Sequence, residues 1–101
     1  MAKLYITEFT RAAFEQFNGA QLPCANLEGM VDQTPVAIGA EADSAAFATT
    51  TAFVRVHADA ACSIAYGLTP MATTNNMRMA ADQTEYFGVT PGKKISVIAN
   101  T

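Results

Sequence analysis

Apolar and polar positions alternate with a period of two through much of the chain, in short runs separated by turn residues. Successive side chains of a strand point to opposite faces, so each such run predicts a strand with one apolar face. The plainest is Ala52–Ala58, with Ala52, Val54, Val56 and Ala58 on one face and Phe53, Arg55 and His57 on the other. Cys62–Gly67 repeats the rhythm, with Cys62, Ile64 and Tyr66 on one face. The short link Asp59-Ala60-Ala61 predicts that these two runs pair as a hairpin. Lys3–Phe9 predicts an opening strand or arm, with Leu4 and Ile6 facing one way and Tyr5, Thr7 and Phe9 the other.

Further strands are expected at Val36–Ile38 after Pro35, around Phe47, and at Met77–Met79 with both methionines inward. Two more are expected at Thr84–Val89 and Lys94–Ala99, separated by the turn signal Pro91-Gly92. Glu41–Ala46 reads as a loop, because Asp43 and Ser44 favour turns. Thr10–Asp32 is the irregular part. Arg11–Phe17 fits two helical turns, with Thr10 as N-cap and Gly19 as the stop, and equally a long loop that lays Phe14 and Phe17 onto the body. Pro23, Asn26 and Gly29 argue against regular structure after Gly19. The fold class expected is all-β: a single antiparallel β-sandwich, jelly-roll-like, of about seven or eight short strands. Its core strands lie in residues 33–101, behind an N-terminal strand over 1–9 and an irregular or short helical segment over 10–32.

Composition sharpens this picture. Half of the 101 residues are hydrophobic and 15% are charged, against about 25% charged in an ordinary soluble domain. Apolar surface left over from the core points to a homo-oligomer or a docking face. The six basic residues are scattered among nine acidic ones, which argues against direct nucleic-acid binding and against an anionic membrane surface. No apolar run approaches the length that spans a bilayer. The opening residues carry Glu8 and lack the apolar stretch of a signal peptide, so a cytoplasmic chain with reduced Cys24 and Cys62 is expected.

Candidate chemistry is sparse. The sole histidine, His57, has Asp59 two residues on and no nucleophile marked by a motif, so no catalytic residue is assigned and no enzyme is expected. One histidine and two distant cysteines make a zinc site unexpected, and no calcium-loop or phosphate-loop spacing is present, so neither metal nor cofactor is assigned. Asp32, Glu41, Asp43 and Asp82 read as solvated loop charges. Phe53, Arg55 and His57 on one strand face are residue types favoured at interfaces. With the aromatics of the N-terminal third they form a candidate interface set: Tyr5, Phe9, Phe14, Phe17, Phe53, Arg55 and His57. The competing reading is a mixed face covered by the second sheet or by Thr10–Asp32.

Several stretches resemble small proteins of tailed bacteriophages: Phe53–Ala60, Cys62–Gly67, Ala72-Thr73-Thr74, Met77-Arg78-Met79, Glu85–Val89 and the opening Leu4–Phe9. The resemblance covers about half of the chain. It implies a structural virion protein of the capsid decoration, or cement, type. Such a protein sits on the outside of a phage head as a homo-oligomer, with a trimer favoured, and clamps neighbouring major capsid subunits. It would be assembled in the host cytoplasm and located on the capsid surface. The alternatives are a neck, tail or fibre-base protein, or a glycan-binding module using Tyr66, Tyr86 and Phe87.

Overall fold

A computed structural model describes residues 1–101. The chain is all-β and contains no helix; its eleven strands form three antiparallel sheets. The five long alternating runs and Met77–Met79 become strands within a residue of the expected limits. They are β1 (Lys3–Phe9), β7 (Phe53–Ala58), β8 (Cys62–Gly67), β9 (Met77–Met79), β10 (Thr84–Gly88) and β11 (Lys94–Ala99). Shorter strands complete the set: β2 (Ala12–Phe14), β3 (Gln21–Ala25), β4 (Val31–Asp32), β5 (Val36–Ala37) and β6 (Ala42–Asp43).

The first sheet has the order β10-β7-β1-β4, with β5 also paired to β1; the second has the order β6-β11-β8-β9. Period-two alternation gives both sheets an apolar face, and the two faces supply one core. Leu4, Ile6, Val36, Val54, Val56 and Ala58 from the first sheet join Cys62, Ile64, Met79, Ile95 and Val97 from the second in a single buried cluster, completed by Ile38 and Phe47. Removing a fully buried aliphatic such as Leu4 from such a core costs roughly 2–5 kcal/mol.

Four expectations need correction. β7 and β8 do not form a hairpin. They belong to different sheets, and the Asp59–Ala61 link is an arch between them. Both strands turn an apolar face to the common core, which an arch permits and a flat hairpin does not. Backbone bonds pin the arch, from Asp59 N to Lys3 O (3.1 Å) and from Asn100 N to Ala61 O (3.1 Å). Next, Met77 is exposed although Met79 is buried, because β9 is an edge strand whose last residue alone reaches the core. Glu41–Ala46 contains β6, which pairs with β11, whereas Phe47 is buried without belonging to a strand.

The fourth correction concerns Thr10–Asp32. Neither helix nor shapeless loop, it holds a hairpin of β2 and β3 with a register shift between Ala12 and Phe14. The Glu15 carboxylate closes the turn by accepting bonds from Phe17 N and Asn18 N, both at 2.8 Å, and Gly19 takes the positive φ of 74° that the reversal requires. Pro23 fits β3 because a two-stranded ribbon is all edge. The hairpin is largely exposed, and the molecule is elongated, at 47 × 25 × 21 Å. Its radius of gyration is 14.2 Å, above the roughly 13 Å of a compact chain of this length.

Candidate functional site

The outward face of the first sheet carries the expected interface residues in three rows. Register places Thr84, His57 and Tyr5 side by side, then Tyr86, Arg55 and Thr7, then Gly88, Phe53 and Phe9. Tyr5, Thr7, Asp32, Gln33, Arg55 and His57, with Ile6 and Pro35, line an open groove of about 460 Å³. In the third row the Phe9 and Phe53 rings stack with centroids 5.1 Å apart, and Tyr86 lies 6.4 Å from each. Beside them Ala12 and Gln21–Ala25 of the hairpin line a second shallow groove with Phe53 and Tyr86.

The expected set therefore divides. Tyr5, Arg55 and His57 share the groove. Phe9 is buried and belongs to the body. Phe53 is half-buried and supports Tyr86. Phe14 and Phe17 sit on the projecting hairpin, away from the groove, with Phe14 under the Arg11 guanidinium at 4.8 Å and Phe17 97% exposed. Tyr86 stands on the opposite face of β10 from Phe87, so Tyr66, Tyr86 and Phe87 do not make one flat platform.

At one end of the groove the side chains around His57 converge. Its Nδ1 lies 2.7 Å from Thr84 Oγ1, across the β7–β10 pairing. Its Nε2 lies 3.8 Å from Asp59 Oδ1 and 4.0 Å from Asp82 Oδ1. These are the only ion-pair contacts in the molecule, since no lysine or arginine stands within 4.0 Å of a carboxylate. Asp59 follows from its nearness in sequence. Asp82 was legible only as a turn residue, because its approach to His57 depends on β10 pairing with β7.

A second polar group lies inside. Glu8 shares the inward face with Leu4 and Ile6 and is buried, 4% exposed. Its carboxylate accepts bonds from the Thr51 hydroxyl, Ala48 N (2.9 Å) and Gln33 Nε2 (2.9 Å). Gln33 in turn bonds both the N–H and the C=O of Ala45. Glu8 thus ties the 44–51 loop to the first sheet; it is structural, with no open space beside it assigned to a ligand.

The chain matches no protein-family model, no curated protein and no solved structure. Geometry must carry the functional reading. Large apolar side chains are exposed at thirteen positions, among them Phe17, Leu27, Leu68, Met71, Met77 and Tyr86. The buried apolar residues number fifteen. A surface nearly as rich in large apolar groups as the core is suited to contact with other proteins.

Proposed function

We propose that the chain is a non-enzymatic structural protein of a phage virion, a capsid decoration protein that sits on the outside of the head as a homo-oligomer, with a trimer favoured. The observation that carries this reading is the exposed apolar surface, together with a hairpin that extends Phe14 and Phe17 beyond the body. A cement protein needs a rigid body, apolar contact area and a means of reaching a neighbour. Many weak contacts repeated over a shell add up through multivalency, and a closed ring of copies buries spare apolar area.

We further propose that the two larger sheets form one sandwich of jelly-roll type. The strand order supports it. From β5 onward every connection passes from one sheet to the other, except the β8–β9 step within the second sheet. In this reading β1 fills the place that the last strand of an eight-stranded jelly roll takes. Consistently, the two chain ends lie close together, Ala2 and Ala99 both bonding the Ile38-Gly39 segment.

The test is co-sedimentation of the purified chain with assembled heads of the phage that carries it, and with unassembled major capsid protein. The reading expects binding to heads and none to free capsid protein. A chain that stays monomeric at micromolar concentration and ignores heads contradicts it.

A further inference from the structure

The convergence at His57 has no use in an assembly role, and it stands apart from that proposal. We propose that His57, Asp59 and Asp82 bind one divalent transition-metal ion, zinc by preference, through one imidazole nitrogen and two carboxylate oxygens.

The spacing fits. The three candidate ligand atoms all lie within 4.8 Å of one another. Ligands about 2.0–2.1 Å from a tetrahedral zinc stand roughly 3.4 Å apart, so closure around an ion asks for movements of about 1 Å or less. Asp82, whose side chain is 84% exposed, is free to make them.

The backbone holds the three in place from separate elements. His57 is fixed in the middle of a sheet by β1 on one side and β10 on the other. Asp59 is anchored by its own N–H on Lys3 O, and its Oδ2 accepts from Lys3 N at 3.2 Å, which leaves Oδ1 toward His57. Asp82 N donates to Ala58 O at 2.7 Å, and Gln83 braces the same turn through Ala80 and Ala58.

The electronic arrangement fits as well. Thr84 Oγ1 is placed to accept from Nδ1–H, which leaves the Nε2 lone pair on the side of the carboxylates. Metal-binding histidines are oriented in this way through their second nitrogen. Neither carboxylate has a lysine or arginine side chain as partner. Imidazole with carboxylates suits zinc and its neighbours, whereas calcium and magnesium favour all-oxygen shells. Three protein ligands leave a fourth position for water or for a group from another molecule.

The test is calorimetric titration of the full chain with zinc chloride, paired with thermal unfolding in zinc, calcium, magnesium or EDTA. One zinc per chain is expected, with a rise in Tm under zinc and none under calcium or magnesium. His57→Ala and Asp82→Asn should each abolish the zinc-dependent rise; Asp82→Asn, on an exposed turn, should keep its Tm in EDTA. Cys24→Ser should bind zinc as before, separating this site from the exposed thiol. Thr84→Val, which removes a positioning contact, should weaken zinc binding by about ten- to a hundredfold. Absence of any zinc-dependent Tm rise overturns the proposal, as does an equal rise with calcium or undiminished binding in Asp82→Asn.

Discussion

Glu8 faces the most demanding surroundings of any residue in the chain. A buried carboxylate is tolerable only where hydrogen bonds replace water. Thr51, Ala48 and Gln33 supply them, so the alternation that predicts an apolar face for β1 also conceals a polar clasp. Glu8→Ala strands those donors and should lower unfolding free energy by about 1–3 kcal/mol, with a smaller loss for Glu8→Gln; urea denaturation measures both. Cys62 is the second residue whose behaviour follows from burial. Desolvation pushes its thiol above the ordinary value of 9.0, against the opposing pull of Arg78. Because the folded pKa is the higher one, folding favours the protonated thiol. That contribution is complete below the unfolded pKa and is lost as pH rises through the folded value. In native protein a thiol reagent should therefore modify the exposed Cys24 and reach Cys62 only on unfolding. Rapid labelling of both would contradict the buried placement.

Among the elements, strands with a steady period of two were readable because each has one wet and one dry face. Lys3–Phe9, Cys62–Gly67, Met77–Met79 and Lys94–Ala99 emerge with the limits their patterns suggest. Pairing was less readable. The β7–β8 arch and a β7–β8 hairpin demand the same alternation, and only the choice of sheet, made by distant β1, β10 and β11, separates them. The hairpin of β2 and β3 was hidden for another reason. Its turn is held by a side chain, Glu15, where the sequence offers apolar spacing that equally suits a helix. The groove shows the same division: Tyr5, Arg55 and His57 were legible as one outward face, whereas Asp82 reaches His57 only through strand pairing. The exposure of Phe17 gives the hairpin a definite test. Phe17→Ser should leave the unfolding midpoint nearly unchanged, since surface substitutions usually fall within about 0.5 kcal/mol. In the proposed role it should weaken self-association or head binding. A large loss of stability would show that Phe17 packs within its own chain.

For the whole molecule, two sheets share one core while the surface keeps large apolar groups at both the hairpin and the β9–β10 edge. Ile64, Tyr66, Met77, Phe87 and Val89 line an apolar groove at that edge. Such a body is better suited to being packed against neighbours than to working alone. The proposed place is the exterior of a phage head, and a cryo-electron microscopy reconstruction of virions containing this chain tests it directly. The account predicts density for the elongated 47 Å body on the outer surface of the shell, in symmetric clusters bridging adjacent capsid subunits. Density for the chain confined to the neck, tail or fibre base, or absent from the virion, would contradict it.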